Sequence, residues 1–379
     1  MSYQSVDKLQ LALATEVFFY ARDAKKAAGR ALGTLIELIT FYLLKDWGVE
    51  SSTRIEKALF EYQNSAISHN VEYTLHPIRD RYNVRIKMDL PVTSTKILKA
   101  MRSVDVDGFQ KVNSTLISTS LILKNSCVIA RKKGFSLVAV LKETKNDSCE
   151  IEITLQEESP YVMVECKRVG VEEGMKKGPQ TIEKAKQGAY VARSVSSLQK
   201  VRNFNGELYG ILPIDEQAFR FEPYETLMNE ILATDDTTVF RDFIMSIGVV
   251  SNHGNWFTAE NANKELRVLA DAYDWLIFLT DEGLATFIDE LLLNPEPTYE
   301  AAKVAFKSSY ASGEDGIKKS GQNRFTKSQI GIEADQALQA YFRQNRAKIE
   351  SWFNVISPST SSIKRLREEI NQLSVKAWS

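Results

Sequence analysis

An acid and an amine stand two residues apart at the end of an apolar stretch. Residues 161–167 read Tyr-Val-Met-Val-Glu-Cys-Lys, a composition that predicts a β-strand entering a core. Because successive side chains of a strand point to opposite faces, Glu165 and Lys167 share one face. A carboxylate can ligate a hard divalent cation, and a lysine beside it can position or deprotonate a water molecule. The pattern therefore predicts metal-assisted hydrolysis at this strand.

A second acid is expected on the strand before it. Residues 149–156 alternate apolar and polar side chains, and Glu-Glu-Ser-Pro at 157–160 predicts a tight turn. A symmetric hairpin about this turn places Glu152 opposite Glu165. Facing carboxylates destabilise a strand pair unless a cation lies between them. We therefore expect Glu152 and Glu165 to share a metal ion.

A basic helix is predicted after the Glu-x-Lys strand. Thr181 is a suitable N-cap, and apolar residues recur at helical spacing as far as Arg193. From Glu165 to Arg202 there are nine Lys or Arg against four Asp or Glu, in a chain whose formal net charge is -1. Such a local excess is typical of a surface that contacts nucleic acid, the alternative being an ordinary solvated face.

An acid on one strand, Glu-x-Lys on the next and a helix with Gln-x-x-Tyr form an ordered set. This set resembles the PD-(D/E)xK nuclease superfamily, and the chain is most similar to a type II restriction endonuclease. The resemblance covers roughly residues 148–195. It implies that Glu165 and Lys167 form the Glu-x-Lys pair and that Gln187 and Tyr190 form the Gln-x-x-Tyr signature.

The resemblance also implies ligands for Mg²⁺, which Mn²⁺ can replace. Glu152 stands where the family usually has Asp, and this departure leaves Glu150 and Asp147 as alternative ligands. The backbone carbonyl of Cys166 and the carboxylate of Glu37, on a predicted N-terminal helix, complete the expected set. The alternative for Glu37 is a side chain that faces solvent or forms a local ion pair, because an unpaired buried carboxylate is costly.

Further residues are expected to contact DNA if the resemblance holds. Lys and Arg suit phosphates, whereas Asn, Gln and His can bond to base edges. The alternatives are turn residues, caps and solvated charges. The expected contacts are Lys176, Lys177, Lys184, Tyr190 and Arg193 near the helix, Asn252, His253 and Asn255 in a polar loop, and Lys318, Lys319, Gln322, Asn323 and Arg324 in a glycine-rich loop.

The fold that the resemblance implies is α/β (α+β), with a mixed central sheet flanked by helices and the order α-β-β-β-α-β. Residues 136–141 are expected to form the first core strand and residues 208–213 the last. We expect a catalytic core over residues 1–215, with an N-terminal helical region and an insertion over 48–130. Residues 216–379 are expected to be mostly helical and to serve DNA recognition and dimerisation.

Hydrophobic periodicity also predicts several helices outside the motif. They are expected over residues 6–47, 53–65, 268–293 and 336–353. With 44% hydrophobic residues in 379, the chain can bury a large core. Three cysteines form no even disulfide framework, and no apolar stretch approaches the length of a membrane span. A reduced, cytoplasmic setting without a membrane is expected.

The resemblance implies a sequence-specific double-stranded DNA endonuclease that hydrolyses phosphodiester bonds with Mg²⁺. It further implies a homodimer, since two active sites related by a dyad cut the two strands of a palindrome, and a cognate DNA methyltransferase. The alternatives are a repair or recombination nuclease on single-stranded or structured DNA, and a non-catalytic DNA-binding module. A helical scaffold protein is a further alternative.

Overall fold

A mixed six-stranded sheet lies at the centre of the fold. The structure is a computed structural model that describes residues 6–17, 24–101, 107–145, 147–170, 179–253, 264–310 and 324–378. The helices are α1 (Val6–Glu16), α2 (Ala24–Asp46), α3 (Ser94–Ala100), α4 (Pro179–Ser194), α5 (Tyr224–Ala233), α6 (Thr237–Phe240), α7 (Lys264–Ala272), α8 (Asp281–Ile288), α9 (Glu300–Tyr310), α10 (Ile332–Gln344), α11 (Arg346–Glu350) and α12 (Ile363–Ser374).

The strands fall into four sheets. They are β1 (Thr53–Glu61), β2 (Asn64–Leu75), β3 (Ile78–Lys87), β4 (Val92–Thr93), β5 (Gln110–Lys111), β6 (Thr115–Ile117), β7 (Ile122–Lys124), β8 (Cys127–Lys132), β9 (Phe135–Lys145), β10 (Ser148–Glu157), β11 (Val162–Gly170), β12 (Gln199–Arg202), β13 (Leu208–Pro213), β14 (Phe219–Pro223), β15 (Met245–His253), β16 (Trp275–Leu279), β17 (Gln329–Gly331) and β18 (Phe353–Ser357). The predicted combination of helices with a mixed sheet is confirmed.

The central sheet has the order β1-β2-β11-β15-β16-β18. Strand β11 runs antiparallel to β2 and parallel to β15. Helix α2 packs against one face of β11, on the side of Val164 and Cys166, and helix α4 packs against the other, on the side of Met163. Helix α7 contacts α4 and β16 on this second face. Because β11 is buried on both faces, its sequence is a nearly continuous apolar run rather than an alternating one.

A second unit is inserted between β2 and β11. Its antiparallel sheet has the order β3-β10-β9-β8-β5, and a smaller sheet has the order β17-β7-β6-β4. The smaller sheet joins two distant parts of the chain, because β17 lies in the C-terminal region and pairs with β7 of the insertion. Through this pairing the insertion and the C-terminal region meet beside the central sheet.

The predicted hairpin of residues 149–156 with 161–167 is wrong. Strand β10 pairs with β3 and β9, and Glu152 lies opposite Asn83 and Val140 in the inserted sheet. The segment 157–160 carries the chain from the inserted sheet to the central one instead of closing a hairpin. Apolar and polar side chains alternate along β10 because one face of the inserted sheet packs on the hydrophobic core of the inserted unit.

The predicted boundaries also need correction. Residues 136–141 belong to β9 of the inserted sheet, and residues 208–213 form β13 of a separate sheet, β12-β13-β14. The excursion from the central sheet lies between β2 and β11 and not over 48–130. A division at residue 215 would split the central sheet, because β15, β16 and β18 lie beyond it.

The structure bears on the predictions about the cysteines and about membrane-spanning segments. All three cysteines are free and buried, so no disulfide is present. Within the described ranges, no helix is long and apolar enough to cross a membrane.

Candidate active site

The site lies where two strands of the central sheet part. Backbone pairing between β2 and β11 ends at Tyr73 and Val164, although β2 goes on to pair with β1 and β11 with β15. The next residues along the two strands are Glu72 and Glu165. The backbone N–H of Glu72 donates a hydrogen bond to Oε2 of Glu165 at 3.3 Å. The separation thus leaves two acids side by side at a gap in the sheet.

Glu165 and Lys167 share a face of β11, as predicted. The Lys167 ammonium lies 2.5 Å from Oε1 of Glu165 and 3.7 Å from Oε1 of Glu72. Burial raises the pKa of Glu165, and the charge and hydrogen bond of Lys167 oppose this rise only in part. The lysine is therefore held between two carboxylates, one of which is costly to ionise.

Three more residues complete a group that we call the acid–lysine cluster: Glu37, Glu56, Glu72, Glu165, Lys167 and Lys327. The Lys327 ammonium lies 3.0 Å from Oε2 of Glu37 and 3.3 Å from Oε1 of Glu56, and it also contacts Oε2 of Glu72. The predicted approach of Glu37 to Glu165 is therefore indirect, since Lys327 and Glu72 lie between them.

A hydrogen bond joins two of the elements that carry these groups, and one residue of the group has an unusual backbone conformation. The Tyr73 hydroxyl donates to the carbonyl oxygen of Glu37 at 2.6 Å, which ties α2 to β2. Glu56 has a φ of 52°, in the left-handed region that side chains other than glycine rarely adopt. Gln63, Leu121, Ser126 and Asp242 adopt the same conformation outside the cluster, so this φ marks an irregularity of β1 and is not by itself a sign of a functional site.

Helix α4 approaches the cluster through a glycine. A Cβ atom built on Gly188 would lie 2.9 Å from Cγ of Glu165 and 2.5 Å from the Tyr273 hydroxyl. Only a residue without a side chain lets the helix come this close. The predicted Gln187 and Tyr190 flank this glycine, but both are exposed, and Tyr190 donates to Glu61 at 2.9 Å rather than to the cluster.

Glu152 belongs to a different group, which we call the Glu152 network. Its carboxylate accepts hydrogen bonds from Ser51, from Arg81 at 2.8 Å and from Lys142 at 3.0 Å. Burial alone would raise its pKa, but these bonds outweigh burial and hold the pKa at about 2. Its expected pairing with Glu165 is wrong because the strand partners differ.

The alternative first acids also lie in the insertion. Glu150 sits on β10, where it forms an ion pair of 3.3 Å with Arg85. Asp147 lies in the turn between β9 and β10, and its carbonyl oxygen accepts from the backbone N–H of Met88 at 2.6 Å. Among the contacts described for them, neither residue reaches the acid–lysine cluster, so Glu72 is the acid that the structure places beside Glu165.

The expected DNA contacts are spread over several parts of the chain. Arg193 is exposed on α4, and Arg324 is exposed with its guanidinium donating to Ser120 at 3.1 Å. For Lys184 in α4 and for Asn252 and His253 in β15 only the backbone is described. The remaining residues lie outside the described ranges: Lys176, Lys177, Asn255, Lys318, Lys319, Gln322 and Asn323. All of these contacts stay predictions.

The donors of the cluster suit a hard divalent cation, because Mg²⁺ and Mn²⁺ prefer carboxylate oxygens. Over the described ranges, no three Asp, Glu, His or Cys side chains are arranged around one point as metal ligands. In this arrangement the two ammonium groups lie among the carboxylates. The predicted Cys166 lies between Glu165 and Lys167, and its side chain packs toward α2.

Sequence reasoning missed Glu72 and Lys327. The signal for Glu72 was a single acid inside the strand-like segment 71–75, since a carboxylate in an apolar strand requires a partner. Lys327 has no comparable signal, because it follows a polar stretch and reaches the cluster only through the pairing of β17 with β7.

Comparisons with known proteins add no assignment. No protein-family model, curated protein or solved structure matches this chain.

Proposed function

We propose that this chain is a Mg²⁺-dependent DNA endonuclease with a PD-(D/E)xK core. The observation that carries the proposal is the meeting of Glu72, Glu165 and Lys167 at the point where β2 and β11 separate. Two acids and a lysine on adjacent strands are the groups that the PD-(D/E)xK motif uses. Mg²⁺, when bound, polarises the scissile phosphate and stabilises the leaving oxygen.

The order of elements supports the same core. Around the central sheet, helix α2, strands β1, β2 and β11, helix α4 and strand β15 occur in the chain order α-β-β-β-α-β, with β3–β10 and α3 between β2 and β11 and with β12–β14, α5 and α6 between α4 and β15. In this assignment the first acid is Glu72 on the second strand, and Glu37 on the first helix supplies the additional acid. The residues between β2 and β11 are then an insertion that separates the first acid from Glu-x-Lys.

The residues of the chain have distinct roles in this proposal. Glu72 and Glu165 would hold the cation, and the carbonyl oxygen of Cys166 would be a further oxygen ligand. Lys167, held between both acids as an ammonium, donates a hydrogen bond that orients the attacking water, and the proton of that water passes to a phosphate oxygen or to bulk water. The packing of Gly188 and Tyr273 against Glu165 keeps that carboxylate in place.

Basic residues near the cluster support a nucleic-acid substrate. Lys124 is exposed on β7 and lies opposite Gln329 of β17, the strand that follows Lys327. Arg324 is exposed just before the same strand. Neither cation has a carboxylate partner among the contacts described for it, and Lys124 donates to the Ser114 hydroxyl at 3.1 Å. Both side chains are suited to phosphate contacts beside the site.

The finer parts of the proposal rest on the resemblance to type II restriction endonucleases. They are cleavage of both strands at a specific sequence, a homodimer, and a companion methyltransferase that protects the host DNA. A dimer follows from the symmetry of duplex cleavage, since each active site cuts one strand. Light scattering of the purified protein with and without a duplex tests the dimer.

The decisive experiment incubates the purified chain with unmethylated plasmid DNA in Mg²⁺. Discrete fragments are expected, and they should vanish in EDTA and in Lys167→Ala. Lys142→Ala is the matched control, because Lys142 also lies between two carboxylates but in the Glu152 network. This control should cleave like the wild type.

Other outcomes select the alternatives. Degradation of single strands alone would favour a repair or recombination nuclease. Intact DNA with a mobility shift independent of Mg²⁺ would favour a binding module, and intact DNA without any shift at low salt would favour a scaffold protein.

A further inference from the structure

The three-stranded sheet β12-β13-β14 presents apolar side chains to solvent. An antiparallel sheet with one face in water normally carries polar side chains on that face. Here the charged residues Lys200, Arg202, Arg220 and Glu222 lie on the face toward α5. The opposite face, with Gln199 at one edge, carries six side chains that we call the apolar sheet face: Val201, Tyr209, Ile211, Pro213, Phe219 and Phe221.

Packing against α5 establishes which face is which. A Cβ atom built on Gly210 would lie 2.8 Å from Leu227 of α5, and Arg220 pairs with Glu230 of α5 at 2.6 Å. Because successive side chains alternate, Tyr209 and Ile211 point away from the helix. None of the six side chains belongs to a hydrophobic core of the described residues, whereas Leu212 on the other face is buried in one.

The aromatic rings of this face are open to solvent. Phe219 is 64% exposed and Phe221 is 48% exposed. The ring of Phe221 stacks on that of Tyr209, with the two centroids 4.8 Å apart. A contiguous exposed apolar patch of this kind marks a surface that contacts a protein or a membrane.

The charges around the face favour a protein over an anionic partner. Exposed acids occupy the turns at both ends of the sheet, Glu207 at one end and Asp215 with Glu216 at the other. No lysine or arginine of the three strands lies on the apolar sheet face. Arg202, beside the turn of Glu207, is 51% exposed and pairs with Asp271. Such a surface repels DNA and anionic lipid.

We propose that the apolar sheet face joins two copies of the chain across a two-fold axis. An uncharged sheet face is complementary to a copy of itself, and packed sheets keep their strands nearly aligned. Antiparallel alignment brings Arg202 of each copy toward the Asp215 and Glu216 turn of the other, whereas parallel alignment sets two such acidic turns together. This interface goes beyond the proposed function, which implies a dimer without a surface, and it uses no catalytic residue.

The size of the face sets the expected strength of association. Three strands about 4.8 Å apart, with about five residues of about 3.4 Å each, give a face of roughly 14 by 17 Å. A standard interface buries about 800 Å² on each partner, so this one is small. We therefore expect a reversible dimer with a dissociation constant in the micromolar range.

The test is sedimentation velocity of the full-length protein, without DNA or metal, over a series of micromolar concentrations. The wild type is expected to change from monomer to dimer. Phe219→Ser combined with Phe221→Ser should raise the dissociation constant by about 100-fold or more, because buried aromatic anchors dominate interface energies. Phe60→Ser is the matched control, since Phe60 is 58% exposed on β1, and it should associate like the wild type.

A crosslink locates the interface without removing the aromatic rings. Ile211 lies in the middle of β13, the central strand, so Ile211→Cys places a thiol near the two-fold axis. A bismaleimide that spans about 10 Å, the separation of packed sheets, is expected to join two copies of this variant. The native cysteines are buried, so the wild type should not be joined, and neither should the control Phe60→Cys.

Other results would overturn the interface. They are a wild type that stays monomeric at every concentration, a dimer that survives the double serine substitution, and a crosslink through Phe60→Cys but not through Ile211→Cys. If the double variant does not fold, the crosslink decides alone. Plasmid cleavage separates these results from the nuclease proposal. A monomer that cuts duplex DNA in Mg²⁺ would remove the interface alone, whereas a dimer that leaves DNA intact would keep the interface and remove the nuclease.

Discussion

The backbone N–H of Glu72 donates a hydrogen bond to the carboxylate of Glu165 across the gap between β2 and β11. This contact joins residues from the two sides of the long insertion. It orients one oxygen of Glu165 toward β2 and leaves the other with Lys167. The two acids are thus positioned by the sheet itself, which is the more rigid way to hold a catalytic group.

The first prediction tests whether Glu72 or Glu152 is the first acid of the proposed PD-(D/E)xK motif. Glu72→Gln is expected to lower the rate of DNA cleavage by about 10²-fold or more, because metal ligation contributes several kcal/mol to the transition state. Glu152→Gln should leave the rate within about threefold but lower the free energy of unfolding by about 1–2 kcal/mol, since Lys142 and Arg81 lose a charged acceptor. Cleavage kinetics and urea unfolding measure both effects, and the reverse pattern would restore Glu152 to the site.

The second prediction concerns the close approach of α4 to the site. Gly188→Ala is expected to lower the free energy of unfolding by about 1–3 kcal/mol and to reduce cleavage, because the new methyl group would overlap Glu165 and Tyr273. Gly33→Ala is the matched control, since a Cβ at Gly33 in α2 meets nothing within 4 Å. This control should raise stability by about 0.5–1 kcal/mol through helix propensity. Equal effects of the two substitutions in thermal unfolding would contradict the packing argument.

The third prediction tests the phosphate contacts beside β17. Lys124→Ala and Arg324→Ala are each expected to weaken DNA binding for all sequences alike and to reduce the slope of log affinity against log salt by about 1. Lys364→Ala on α12 is the control, because that lysine is exposed and pairs with Glu368 at 3.8 Å. Binding titrations at several salt concentrations measure the slopes. Unchanged slopes in both variants would place the DNA elsewhere on the surface.

The sequence allowed the Glu-x-Lys strand to be predicted because its evidence is local. Side chains two apart on a strand share a face whatever the strand pairs with, so the contact of Glu165 with Lys167 followed from spacing alone. The partner of Glu165 could not be found in this way. Alternation shows that β10 has one buried face but not which sheet contains it, and the insertion placed β10 in another sheet.

The prediction of secondary structure was wrong for a strand that is buried on both faces. The apolar run 268–293 was predicted as helices, but its middle forms β16, whose residues are all buried. Hydrophobic periodicity cannot distinguish such a strand from a buried helix. The predicted helix at 53–65 is strand β1 for most of its length, because pairing with β2 determines its conformation. Lys327 was beyond prediction because only the tertiary pairing of β17 brings it to Glu37 and Glu72.

The last prediction uses the raised pKa of Glu165. Burial is the main cause of the raised pKa, so the folded protein binds the proton of Glu165 more tightly than the unfolded chain does. The free energy of unfolding of the wild type therefore falls as the pH rises from the ordinary glutamate range through the raised pKa. Without metal, Glu165→Gln should therefore unfold at a higher temperature than the wild type at pH 8, and the difference should disappear below about pH 4. Saturating Mn²⁺ should reverse the order, because only the wild type gains from binding the ion. Thermal unfolding in EDTA and in Mn²⁺ measures both effects. A less stable Glu165→Gln in EDTA at pH 8 would mean that Glu165 stabilises the fold through its ion pair and is not a strained metal ligand.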